Sequence, residues 1–466
     1  MATKIVEQCE VAPPSGAPAE QLLKLLHMDI PLLYAPLTMK AIFFYKLDCS
    51  ESHFINTIVP NLKNSLSLTL KHFPPLAGKI LIDNKSGMPV SQYVDGQDSL
   101  SVTIAVSYAD FLNLTGYHPR DAAQLHALAP DLNIVTFAQT TKLSVLAVQL
   151  TLFPNQGVCV AIAGHHAIGD GASIVLFFKK WASINKFNGD DSEEFLPFYD
   201  RDLVWDGYRR ATDSWRDISA RISLSASLPN SNIVSSDEFM LEATFALSVP
   251  EIEKLKNLAI AANSEKRIRV SSFVVACAHL WTCLAKSAAT AGEQVGDDEP
   301  DYLSFAVNCR GRLNPPLPDN YFGNCSALAT AESTYGKLRG EYGFLVAAEG
   351  ISSTVEKTIG NGIDGSPKFY LDFKDRLREM AGKRMIVVGG SPGLDFYGTD
   401  FGWGRPIKFE TLHSRNYQFA FFSNSREYGG GIEICVSMSK VKMDAFAASF
   451  NQGIAQATEQ KLWCKM

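Results

Sequence analysis

The chain has 466 residues, 46% of them hydrophobic and 20% charged, with a formal net charge of −6. That is a core-forming composition at a length that suits two domains; it excludes a disordered chain, and the acidic balance argues against a nucleic-acid binder. Nine cysteines, scattered from Cys9 to Cys464, form no Cys-x-x-Cys or Cys/His cluster, so reduced thiols and no metal site are expected.

The apolar stretch 145–163 is broken by Gln149, Thr151, Pro154, Asn155 and Gln156, which rules it out as a membrane span. Residues 1–16 lack the basic-then-apolar order of a signal peptide, so a cytoplasmic protein is expected. Residues 4–11 read as a strand, 19–29 as a helical turn or loose loop, and 41–47 as a strand. Over 50–72, Ile55, Val59, Leu62, Leu66 and Leu70 recur near the helical period, with Pro60 marking a kink or the true start. Strands are predicted at 76–82, 89–94 and 101–106, and a short helix at 108–115. Residues 143–152 and 158–164 form a strand pair about the turn Pro154-Asn155-Gln156-Gly157.

The second of those strands runs into Gly164-His165-His166-Ala167-Ile168-Gly169-Asp170-Gly171, and a helix follows from Ser173. Two histidines thus stand where strand becomes loop and then helix. An imidazole titrates near neutrality and can take a proton from an attacking hydroxyl. Asp170 either orients the histidine or is a structural acid paired with a distant arginine; spacing leaves both open.

The second half reads as a strand at 242–247, helices at 249–263 and 271–286, a mobile surface loop over 288–301 and a strand at 303–307. Helices follow at 338–357 and 370–379, then strands at 385–388, 418–422 and 431–436 and a closing helix at 439–452. Helices and strands mix without strict alternation, which predicts two α/β domains, 1–205 and 236–466, joined by a crossover over 206–235. Asp400-Phe401-Gly402-Trp403-Gly404 is either a structural corner or a contact for an aromatic or nucleotide ligand. No nucleophile elbow, Walker loop or dinucleotide glycine pattern is present.

Taken together, His166-x-x-x-Asp170, Tyr321-Phe322-Gly323-Asn324-Cys325 and Asp400-Phe401-Gly402-Trp403-Gly404 resemble the plant acyl-CoA-dependent acyltransferases of the BAHD family. The middle motif resembles the malonyltransferase-like subgroup that acts on anthocyanins and other flavonoid glucosides. The resemblance spans the whole chain. It implies two similar-sized chloramphenicol-acetyltransferase-like domains with a channel between them. It also implies an acyl-CoA co-substrate, no bound cofactor or metal, no nucleic-acid or membrane partner, and a monomer. His166 would be the general base on a sugar hydroxyl that attacks the thioester directly. Asp170 would pair with an arginine, Arg310 in preference to Arg312, and Asp400, Gly402, Trp403 and Gly404 would be structural.

Lys40, Ile174, Tyr321, Phe322 and Asn324 are the candidate substrate-binding residues. Malonyl-CoA is the expected donor from its prevalence in the subgroup. Ile174 nevertheless stands where some malonyl-using relatives carry an arginine, which makes Lys40 or another basic residue the candidate replacement cation for a carboxylate that is costly to bury unpaired. The alternatives are hydroxycinnamoyl transfer, with Phe178, Phe43 or Tyr34 lining an aromatic pocket, and a different alcohol or amine acceptor.

Overall fold

A computed structural model of the chain describes residues 3–33, 38–83, 89–136, 140–204, 212, 240–262, 270–360, 380, 382–412 and 418–463. The two apolar runs flanking Pro154 pair as an antiparallel hairpin, Leu146–Phe153 against Gly157–His165. The hairpin sits inside a six-stranded sheet in the order Thr3–Val11, Leu100–Ser107, Leu146–Phe153, Gly157–His165, Thr38–Lys46, Lys408–Leu412. Helices Val59–His72 and Gly171–Lys186 cover one face, sharing a core with Phe43, Val160 and Ile162. Phe111, Leu114, Leu125 and Leu128 cover the other, over Ile42, Phe44, Cys159 and Ala161. Burial on both faces explains why the central strands run mostly apolar instead of alternating.

A seven-stranded sheet carries the second half, in the order Ser326–Thr334, Pro300–Asn308, Arg384–Gly390, Gln418–Asn424, Ile432–Ser439, Met240–Leu247, Arg120–Asp121. Its core includes helices Val249–Ala262, Ser272–Thr290, Gly343–Gly360 and Lys440–Trp463. Ser272–Thr290 has the length and apolarity of a membrane span, yet it is mostly buried among these neighbours, as a core helix is. A third sheet of five strands runs Glu20–Lys24, Val90–Val94, Lys79–Asp83, Thr140–Ser144, Ile134–Thr136. The eight cysteines among the described residues are free thiols.

Several elements differ from the expectation, each for a tertiary reason. Residues 20–24 form a strand because they pair with Val90–Val94. The predicted strand 143–152 is two: Thr140–Ser144 belongs to the third sheet and Leu146–Phe153 to the first. Pro60 marks the start of an α-helix, the second of the two expectations. It lies in the first turn of Val59–His72, and a wide turn over Phe54–Ile58 accommodates the N–H it lacks. The loop expected over 288–301 is shorter, since the helix runs to Thr290 and a strand begins at Pro300; within it, Glu293 is held by Arg384 at 2.7 Å. The predicted helix 370–379 and the crossover 206–235, Thr212 excepted, lie outside the described residues.

Two segments cross the expected division between halves. Lys408–Leu412 closes the first sheet beside Thr38–Lys46, and Arg120–Asp121 adds to the second beside Met240–Leu247. Charged side chains are buried where they meet. Arg120 pairs with Glu410 at 2.6 Å, and Lys408 reaches Glu410 at 3.3 Å, Glu433 at 3.7 Å and Thr244 Oγ1 at 2.6 Å. Tyr117 and Tyr397 donate their hydroxyls to Glu433 at 2.5 and 2.7 Å.

A third acid, Glu242, is buried beside this balanced set; burial and then the charge of Glu410 push its carboxyl up to about 8. It keeps its proton in the fold but loses it near pH ~4.3 when unfolded, so it makes stability fall as pH rises from there toward 8. Glu242→Gln removes that slope. The stability advantage of the variant over the parent should therefore widen between about pH 6 and 8, and melting curves that run parallel across that range would refute the protonated carboxyl.

Candidate active site

The strand Gly157–His165, interior to the first sheet, delivers the two histidines at its C-terminal end. His165 still belongs to the strand: its N–H donates to Val145 O at 2.8 Å. Its Nδ1 accepts the Ala167 N–H at 3.2 Å, which leaves its own proton on Nε2. Burial, with His166 beside it, pushes its pKa down to about 4, so it is neutral at physiological pH. His166 opens a short 3₁₀ turn, His166–Ile168, that leads to Asp170. Its Nδ1 is buried and has no hydrogen-bond partner among the described residues.

Asp170 caps the helix Gly171–Lys186, taking the Ser173 N–H at 3.1 Å. An anionic cap at a helix N-terminus is favourable in itself. Arg310 then grips both carboxylate oxygens as a fork, at 2.8 and 2.9 Å, and the Cys325 N–H donates to Oδ2 at 3.1 Å. Burial would raise the carboxyl's pKa, but the charge and hydrogen bonds of Arg310, with the Ser173 and Cys325 amides, hold it below the usual range. Arg312 lies exposed and turns back to Asn308 O instead. With both oxygens of Asp170 occupied, neither is left for a histidine nitrogen.

The segment 321–325 is the bracket around this pair. Arg310 Nη2 donates to the carbonyls of Tyr321 and Gly323 at 3.0 and 3.1 Å. The Tyr321 ring lies between two guanidiniums, 5.8 Å from Arg310 and 5.9 Å from Arg201. Gly323 has φ +149°, and a Cβ there would come within 2.8 Å of Arg201 Nη2, so the close approach needs glycine. Asn324 donates from Nδ2 to the His166 carbonyl at 2.9 Å and to Asp29 Oδ1 at 2.8 Å. Asp29 is in turn paired with Arg201 at 2.5 Å. Asp29 and Arg201 carry no local pattern that sequence reasoning could use.

Asp400 and its glycines lie elsewhere. Asp400 Oδ1 takes the N–H groups of Gly402 and Gly404 at 2.8 and 2.9 Å, and Oδ2 pairs with Lys186 at 2.9 Å. Both glycines sit at positive φ, +98° and +86°. Phe401 packs edge-on to Trp181, and Trp403 stacks on Phe401 and meets Tyr45 edge-on. Lys186 ends the 16-residue helix that Asp170 begins, roughly 24 Å away along its axis. This corner holds the far end of the helix and cannot touch the histidine.

A sequence model of the Transferase family matches residues 3–452. The chain belongs to this family, the BAHD acyltransferases. It is 38% identical to phenolic glucoside malonyltransferase 1 of Nicotiana tabacum, over 97% of this chain and 99% of that one. It is 34% identical to a malonyl-coenzyme A:anthocyanin 3-O-glucoside-6''-O-malonyltransferase of Dahlia pinnata, over 97% and 98%. A coumaroyl-CoA:anthocyanidin 3-O-glucoside-6''-O-coumaroyltransferase of Arabidopsis thaliana is 33% identical, over 97% of each chain. Among solved structures, vinorine synthase superposes with a TM-score of 0.67 at 20% identity, covering 95% of this chain and 96% of that one.

Within this acyltransferase, most of the residues expected to bind substrate are placed otherwise. Phe322 is fully buried against Phe73 and Tyr199, with ring centroids 5.5 and 5.4 Å apart, and Tyr321 is buried between its two arginines. Asn324 spends both hydrogens of Nδ2 on protein acceptors. Phe43 and Phe178 show no surface and pack on each other at 4.3 Å; Tyr34 lies outside the described residues.

Ile174 is buried, and a methyl placed on Gly164 would sit 4.0 Å from it. Lys40 is on the other side of the sheet. It pairs in register with Ala163 and Leu412 on the face that carries Ile42, Phe44 and Ala161, and its Nζ meets Asp131 at 2.6 Å. Met39, opposite Gly164, is on the face of Ile174. Lys40 therefore does not stand in for a cation at position 174, because the sheet separates them.

Proposed function

We propose that this acyltransferase moves a malonyl group from malonyl-CoA to a sugar hydroxyl of a phenolic or anthocyanin glucoside, with His166 as general base. The similarity over nearly the full length to glucoside malonyltransferases supports the substrate classes. The observation that carries the mechanism is the full occupation of Asp170 by Arg310, Ser173 and Cys325, which leaves His166 to act without an acid partner.

In the proposed reaction the imidazole takes the hydroxyl proton as the sugar oxygen bonds to the thioester carbonyl carbon. The tetrahedral intermediate collapses, the carbon–sulfur bond breaks, and the departing thiolate receives the proton from His166. No acyl-enzyme forms. A second reading, hydroxycinnamoyl transfer to the same acceptors, draws on the apolar Ile174 and on the coumaroyltransferase relatives. The same proposal includes a cytoplasmic monomer, which size-exclusion chromatography tests in part.

The deciding experiment is CoA release by the purified protein with cyanidin 3-glucoside or a simple phenyl glucoside, comparing malonyl-CoA and p-coumaroyl-CoA. Faster release with malonyl-CoA is the expected result. Faster release with p-coumaroyl-CoA would replace the donor assignment, and release with neither would defeat the glucoside acceptor.

A further inference from the structure

Catalytic histidines are commonly oriented by a partner on the ring nitrogen away from the substrate. The buried Nδ1 of His166 has none among the described residues. What is held instead is its backbone: the His166 carbonyl accepts Asn324 Nδ2 at 2.9 Å. The second N–H of the same amide goes to Asp29 Oδ1 at 2.8 Å. Asp29 is fully buried, and its other oxygen takes the Leu26 N–H at 2.7 Å and Arg201 Nη1 at 2.5 Å.

Asp29 and Arg201 are 172 residues apart in sequence. A buried ion pair of this kind is a weak source of net stability, because desolvation offsets most of the attraction. It does fix the rotation of one amide: a carboxylate can only accept, so Asp29 obliges Asn324 to present its NH₂ side, which aims the remaining donor at His166.

We infer that Asn324 is a positioning residue for His166, and that Asp29, clamped by Arg201, sets the orientation of its amide. The inference rests on His166 acting as the base. Asp170–Arg310 secures the loop on the helix side, and Asp29–Arg201–Asn324 secures it at the histidine itself.

The test separates positioning from scaffolding. Asn324→Asp keeps the size of the side chain, removes both donors and sets a second carboxylate against Asp29. Adding Asp29→Asn restores a donor–acceptor contact between positions 29 and 324, keeps an amide oxygen for Leu26 and Arg201, and leaves the buried charge unchanged. It gives the His166 carbonyl no donor. The double variant should therefore regain part of the thermal stability lost in Asn324→Asp, keep KM for both substrates near that of the parent, and remain roughly 10²-fold low in kcat.

Recovery of kcat together with melting temperature would overturn the inference, since the pair would then be scaffolding only. Should the double variant fail to fold, Asn324→Ser offers one donor for two acceptors, and a kcat within about twofold of the parent would overturn the inference as well. An active parent whose His166→Ala variant turns over equally well defeats the assignment of His166 and this inference with it. An active parent with unchanged variants defeats this inference alone.

Discussion

His166→Ala should lower kcat by about 10²–10⁴-fold and leave the folded protein intact, because a positioned general base contributes that much to proton transfer. The fold has little to lose at this side chain. The hydrogen bond from Asn324 goes to the backbone carbonyl of residue 166, which alanine retains, and the 3₁₀ turn is capped by His165. Removing the imidazole even relieves a buried nitrogen that has no partner among the described residues. The measurement is steady-state CoA release beside a thermal melt. Turnover within about tenfold of the parent would show that another group takes the proton. A collapsed melt would show that the ring is structural.

Arg310→Ala should cost about 3–5 kcal/mol, the range for breaking a buried ion pair from one side. The loss is not confined to the pair. Asp170 would keep its charge in a buried site, and the carbonyls of Tyr321 and Gly323 would lose a shared donor. Arg310→Lys restores the charge but not the fork, and should recover only part of the loss. Denaturant titration reads both.

The pair also carries a pH signature. Arg310 holds the carboxyl of Asp170 below its ordinary value against the opposing effect of burial. Its contribution is therefore fully present above the unfolded carboxyl's pKa, about 3.9, and is lost as pH falls through the lower folded value. Arg310→Ala should lack that acid-side loss because it has already lost the interaction. An Arg310→Ala variant with the parent's urea midpoint would mean that the loop is held by other contacts.

The residues that sequence reasoning placed well are those whose chemistry is local. His166 and Asp170 stand four apart at a strand-to-helix junction, and glycine–aromatic spacing marks the corner at 400–404. The central hairpin was legible because both strands are apolar and a turn separates them. Short strands such as Lys408–Leu412 and Glu20–Lys24 were not, because what makes them strands is a partner far away in the chain.

The same holds for Asp29 and Arg201, a pair that nothing in either local segment announces. Tyr321, Phe322 and Asn324 stood out as a motif, but a motif does not say whether it faces a ligand or the protein. Here the backbone carbonyls of 321 and 323 and the amide of 324 do much of the work, and a side-chain reading misses carbonyls.

The exchanged strands keep the two halves from parting as rigid shells. Pulling them apart would strip Lys408–Leu412 from Thr38–Lys46 and Arg120–Asp121 from Met240–Leu247. It would also bare Arg120, Lys408, Glu410 and Glu433 to one another's absence. A gene cut within 206–235 would thus yield fragments that need each other: the N-terminal piece would present an open strand edge, a template for aggregation, until its partner filled it.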